Sequence, residues 1–303
     1  MFNINKALSI GDCDNAISLA NVYYNSPQSD NTVRRARASS YACSANVNFF
    51  AITQALTTHS VIGSALWRTL TEIFPSTVAD KRMESSWIAA ETLMTWLKPN
   101  MIIPPEYATP TGAYNPGSII FNDRDNNAGI FTLYVSMALV GATNNRYGIA
   151  AGQSFPASYN KQQPLPWSTA TLVAEDPTGC AYAGGVMSIF DAVQDIGTIA
   201  GPPLSNSLSQ ISQLKAAYDQ ACNAACQGLD AVASGLGIDF STLGCDMTAS
   251  EAAALCAVCP AKLRHRSMCV DTTVPIDKNP VACAAAGVIN MINNHPIVGW
   301  PGP

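Results

Sequence analysis

Along the chain, stretches in which apolar residues recur every three or four positions alternate with stretches crowded by Pro, Gly, Asn and Ser. That is the pattern of amphipathic helices separated by loops. Asp12 is placed to cap a first helix running through CDNAISLANVYY. The turn formers of NSPQSDN follow it, and a second helix is expected from near Thr32 to about Thr57. A third, poorly bounded, covers about 60–74. A fourth follows Ser76 through STVADKRMESSWIAAETLMTWL and stops before Pro99.

The irregular segment KPNMIIPPEYATPTGAYNPGS comes next, then a core helix over 131–140 and a second irregular stretch over 144–179. Two Pro/Gly-rich loops of this length inside a compact protein either carry function or cover the core. Helices resume over 181–199, 204–233, 249–259 and 280–293, with Thr248 and Glu251 forming a capping box before the third of these. Runs of period-2 alternation are missing, so the expected fold class is all-α. The chain divides into a helical-hairpin region (1–100), long loops around a buried core helix (101–179) and a cysteine-rich helical region (180–303). The three form either separate units or one continuous domain.

Composition narrows the function classes. The chain has 303 residues, 48% of them hydrophobic and only 12% charged, with a net charge of −5. This is a globular composition without the basic footprint of a nucleic-acid binder. The longest basic run is RR, which argues against docking on an anionic membrane surface. The longest apolar stretch, AGIFTLYVSMALVGA, is shorter than the roughly 18–20 residues that cross a bilayer and reads as a buried core helix.

The ten cysteines carry the most geometry. An antiparallel hairpin of the first two helices has its midpoint near Gln28, which sets Cys13 and Cys43 at the same height. A bridge there would close a loop of about 31 residues, worth roughly 3–4 kcal/mol in the chain-entropy account; the alternative is two unrelated buried thiols. By the same logic CNAAC and CAVC lie on two facing helices, pairing Cys222 with Cys259 and Cys226 with Cys256. Cys180, Cys245, Cys269 and Cys283 are left to pair among themselves. A redox dithiol at CAVC is disfavoured because it would end a helix just before Pro260, where the dipole opposes a thiolate. Cys256, Cys259, His265 and Cys269 make an alternative Cys₃His zinc set. The even cysteine count and the upstream CxxxC favour the disulfide staple, and no metal or other cofactor is expected.

Catalytic signatures are missing. The three histidines lie outside any HExxH, and neither a G-x-S-x-G elbow nor a phosphate-binding glycine loop occurs. DRDNNAG imitates a calcium loop but has its glycine one position late and Tyr134 where a bidentate Glu belongs. Asp123 and Asp125 remain the only clustered carboxylates near a loop that an enzyme of unrecognised type could use. Arg34, Arg35 and Arg37 form either a contact for an acidic partner or a solvated helix face near Asp30. Trp300 and Ile297, in the Pro/Gly-rich C-terminal stretch, could dock on a partner or on the protein itself. Tyr107, Tyr114, Tyr159 and Trp167 could line a pocket for a small solute.

The stretch GDCDNAISLANVYYNSPQSDNTVRRARASSYACSANVNFF resembles the tetratricopeptide-like lipoproteins of the Gram-negative envelope, over about residues 11–57. The resemblance implies that Met1 stands where the lipid-bearing cysteine of a mature lipoprotein would be, with FNINKALSI as a tether. It implies a lipid-anchored protein of the outer membrane, its body in the periplasm or at the cell surface. Its function would be non-catalytic: binding or scaffolding an envelope protein through a helical surface. The alternatives are a solute-binding accessory of a transporter, and a zinc-binding protein or enzyme of unrecognised type.

Overall fold

The computed structural model describes residues 2–26, 30–50, 52, 54, 70–71, 73–76, 80–94, 126–147, 165, 167, 169–196 and 280–294. Among them the secondary structure is helical, with no strand. The elements used below are α1 (Phe2–Ser9), α2 (Cys13–Tyr24), α3 (Asn31–Ser44), α4 (Arg82–Met94), α5 (Asn126–Tyr147), α6 (Ala170–Glu175), α7 (Pro177–Ile196) and α8 (Pro280–Asn294).

Caps explain most of the boundaries. Asp12 and Asp30 accept the backbone N–H of Asn15 and Val33, and Thr169 accepts that of Leu172, starting α2, α3 and α6. Asp176 accepts the Thr178 N–H at 2.9 Å ahead of α7, whose first residue is Pro177. Both α1 and α3 end in a Schellman motif. After α1, Gly11 (φ +73°) and Asp12 donate to the Leu8 and Ala7 carbonyls at 3.1 and 2.9 Å. After α3, Asn46 (φ +55°) and Val47 donate to the Cys43 and Ala42 carbonyls, both at 2.9 Å.

The described helices pack in a row. Each of α1 to α5 touches the next, α5 packs on α7, and α8 lies against α6 and α7. Small residues build the N-terminal seams: Ala7, Ala16, Ala20 and Ala36 close around Ile4, and Ala38, Ala42, Ala89 and Ala90 join α3 to α4. The largest cluster surrounds α5 and α7, where Leu133, Met137, Leu139, Tyr182, Val186 and Phe190 meet. Helix α5 is enclosed for most of its length, as expected for a helix apolar on every side. No helix among the described residues is long and apolar enough to cross a membrane.

Two pairs set the direction of α7 against α5. Gly185 lies against Leu139 and Val140, and Tyr182 lies beside Asn144. The helices are therefore antiparallel, and Ser188 falls level with Ser136 one turn on.

Several sequence expectations are corrected. Phe2–Ser9 is no tether: it folds as α1 and buries Ile4 and Ala7 against α2 and α3. The second helix ends at Ser44, well before Thr57, because Asn46 takes the left-handed conformation; Phe49, Phe50, Ile52 and Gln54 are helical again after the break. The fourth helix starts at Arg82, after Asp80 has accepted the Arg82 N–H, and not directly after Ser76. The core helix extends over Asn126–Tyr147, and the irregular stretch expected after it contains α6 and the first turn of α7. The helix expected over 280–293 is found as α8.

Candidate functional site

The first turn of α2 and the last turn of α3 are joined by the Cys13–Cys43 disulfide, with 5.6 Å between the Cα atoms. The end of α3 is held from three further directions. Asn46 and Val47 close its Schellman turn. The Arg82 Nε–H donates to the Ala45 carbonyl at 3.2 Å, a cation at a helix C-terminus. The Ser85 and Ser44 hydroxyls bond at 3.1 Å.

This braced end forms one wall of a groove of about 460 Å³. Leu8 of α1, Ala42 and Cys43 of α3, Val47, Phe50 and Phe131 of α5 are among its lining. Phe49 is anchored, its ring 4.8 Å and edge-on to Tyr134 and 5.5 Å from Phe131. Phe50, its neighbour in the chain, is 88% exposed. Among the described residues no charged side chain lines the groove, and these offer apolar contact and the amides of Asn46 and Asn48.

The arginines do other work. Arg34 is 2% exposed and donates to the Asp30 carbonyl at 3.2 Å. Burial pushes its pKa down and neighbouring Arg37 adds to that, against Tyr24 and Asp30. The Arg37 guanidinium lies over the rings of Tyr24 and Tyr41, at 4.3 and 5.0 Å. Its Nε–H donates to Asn21 Oδ1 at 2.8 Å and its terminal nitrogen to Thr92 Oγ1, and the Asn21 amide donates to the Tyr41 hydroxyl at 3.0 Å. Arg37 thereby ties α2, α3 and α4 together. Of the three arginines expected to face a partner or solvent, Arg35 alone is exposed.

Trp167, expected in a solute pocket, is a core residue. It is 2% exposed, donates from Nε1 to Asp176 Oδ2 at 2.8 Å and meets Tyr147 edge-on at 4.7 Å. Cys180 and Cys283 are each in a disulfide, and no described cysteine is free. The described residues contain no group of His, Cys, Asp and Glu that could hold a metal ion. The expected pairs Cys222–Cys259 and Cys226–Cys256, the zinc set Cys256, Cys259, His265 and Cys269, and Cys245 lie outside the described residues. So do Tyr107, Tyr114, Tyr159, Asp123, Asp125, Ile297 and Trp300.

The groove was not among the sites expected from sequence. Its signal is NVNFF, beginning three residues after Cys43, where two adjacent phenylalanines cannot both face the core from one helical turn. No family model matches the chain, and neither does any curated protein or solved structure.

Proposed function

We propose that this protein is a non-catalytic binding or scaffolding protein of an oxidising envelope compartment, and that the groove beside Cys43 receives an apolar segment of a partner protein. The observation that carries this reading is Phe50, 88% exposed at the rim of a groove with a braced wall and no charge among its described lining residues. Exposed aromatics beside a preformed apolar recess are the usual anchors of protein association. The row of packed helices supports it as well, since such arrays build extended binding faces.

The envelope placement rests on the four described cysteines being disulfide-bonded and on the resemblance of residues 11–57 to tetratricopeptide-like lipoproteins. A lipid at the position of Met1 would then be attached directly to α1, holding the groove close to the membrane surface.

The test is site-specific photocrosslinking from the groove rim in native membranes, with mass spectrometry of the captured species. A partner protein captured by the wild type, lost in Phe50→Ser and retained in Phe2→Ser supports the reading; Phe2 is 80% exposed but does not line the groove. Capture that is indifferent to Phe50, or a co-purifying small molecule with no protein partner, overturns it.

A further inference from the structure

The Cys13–Cys43 disulfide spans two helix ends of opposite polarity, and its two sulfurs are not equivalent. Cys13 is the first residue of α2 and Cys43 lies in the last turn of α3. Cys43 lines the groove, whereas Cys13 does not. We propose that Cys43 Sγ is a site of thiol–disulfide exchange, attacked through the groove by a small-molecule or protein thiolate, with Cys13 as the leaving group.

Access comes from the groove. Cys43 is partly exposed, and the space in front of it holds a small thiol, with no charge among its described lining residues to repel an anionic one. The direction of cleavage comes from the helices. A thiolate released on Cys13 meets the positive dipole end of α2, where the Cys13, Asn15 and Ala16 N–H groups are already bonded to Gly11 and Asp12. Asp12 and Asp14 put negative charge in the same turn, but the Asp12 carboxylate accepts the Asn15 N–H and Asp14 is exposed, where solvent screens it. A thiolate released on Cys43 would meet the carbonyl end of α3, whose last turn carries no basic residue of its own; Arg82, which reaches the Ala45 carbonyl there, is paired with Asp80 at 3.7 Å. Exchange is faster when the better-stabilised thiolate leaves, so the two helix dipoles favour attack on Cys43, the sulfur whose residue lines the groove.

The electrons balance with the incoming thiol alone. The attacking thiolate forms a bond to Cys43 Sγ, the Sγ–Sγ bond breaks, and its electron pair leaves on Cys13 Sγ, which takes a proton from water. Where the attacker is a dithiol, its second thiolate displaces Cys43 in turn. The reagent is oxidised to its disulfide and both cysteines are left reduced. The mixed-disulfide stage places the incoming group in the groove itself. This inference concerns the chemistry of the disulfide and does not depend on which partner the groove receives.

The test uses the folded full-length chain and reduced glutathione, quenched rapidly with N-ethylmaleimide. Trypsin then separates residues 7–34 from 38–68, fragments that each contain a single cysteine. Non-reducing mass spectrometry should find glutathione on 38–68 and maleimide on 7–34, in excess over the reverse by roughly fivefold. Equal partition, the reverse preference, or adducts that form only once urea has unfolded the chain would overturn the proposal.

Discussion

The Arg37 Nε–H donates to Asn21 Oδ1 at 2.8 Å, and through that bond a residue of α3 is aligned by a residue of α2. The same guanidinium stacks on Tyr24 and Tyr41 and reaches Thr92 of α4. A planar fork makes these contacts together, whereas an ammonium has neither the plane nor the spread of donors. Arg37→Lys should therefore destabilise the fold by about 1–2 kcal/mol and Arg37→Ala by about 2–4 kcal/mol, since truncation also strands the Asn21 amide. Urea denaturation under non-reducing conditions measures both; a lysine variant as stable as the wild type would rule out this role.

Removing the first disulfide tests how much the braced end of α3 depends on covalent closure. The double variant Cys13→Ser/Cys43→Ser should lose about 3–4 kcal/mol, as expected for releasing a loop with a sequence separation of 30 residues. Because Arg82, Ser85 and the Asn46 turn remain, circular dichroism of the folded variant should be unchanged. A large loss of helix signal at neutral pH in water would show that those contacts cannot hold the helix end alone.

Two glycines should fail on substitution for opposite reasons. Gly11 has open space around its would-be Cβ but a φ of +73°, so Gly11→Ala should cost about 1 kcal/mol through backbone strain. Gly141 has ordinary helical backbone, yet a Cβ there would sit 2.2 Å from the Leu70 carbonyl oxygen. Gly141→Ala must push the 70–74 segment off α5 and should cost about 2–3 kcal/mol. Thermal denaturation of the pair should rank them in that order, and Gly11→Asn should recover part of the Gly11 loss.

Tyr182 should make stability fall in alkaline solution. Its phenol is fully buried, and burial pushes its pKa up from the ordinary value of 10.0, opposed by Asn144. The hydroxyl is within reach of the Asn144 carboxamide, but neither group completes a bond of good geometry. With the folded value above the unfolded one, the contribution is fully present below pH 10 and declines as pH rises beyond it, because the unfolded chain alone loses the proton. Tyr182→Phe should be within about 1 kcal/mol of wild type at neutral pH, since it removes a poorly satisfied buried hydroxyl. It should also show a shallower decline above pH 10 in urea midpoints; an unchanged slope would contradict the assignment.

What could be read from sequence, and what could not, follows from how local each cause is. Asp12 and Asp30 are caps acting within three residues, and Pro280 opens α8 by its own fixed φ, so those starts were visible. The Cys13–Cys43 bridge was visible because an antiparallel hairpin converts sequence position into height. Helix α1 was not, since eight residues are marginal as a helix alone and hold their shape through Ile4 packing on α2 and α3. The break at Asn46 was hidden because asparagine tolerates the left-handed region without announcing it. The groove was the least legible feature. Whether Phe49 or Phe50 turns outward is decided by where α5 places Phe131 and Tyr134, some eighty residues away along the chain.

The row in which each helix from α1 to α5 rests on its predecessor also bears on how the molecule comes into being. Within that part each helix finds a neighbour earlier in the chain to pack on, so much of the loop-closure entropy is met in small instalments, while the contacts of Phe49 with Phe131 and Tyr134 wait for α5. As the chain emerges N-terminus first, α2 already has α1 to pack on, and α3 has α2. Cys43 meets Cys13 with 260 residues still to come, so the first covalent cross-link can be locked while most of the chain is unmade. The N-terminal seam of alanines is then a template for the rest, laid down at birth.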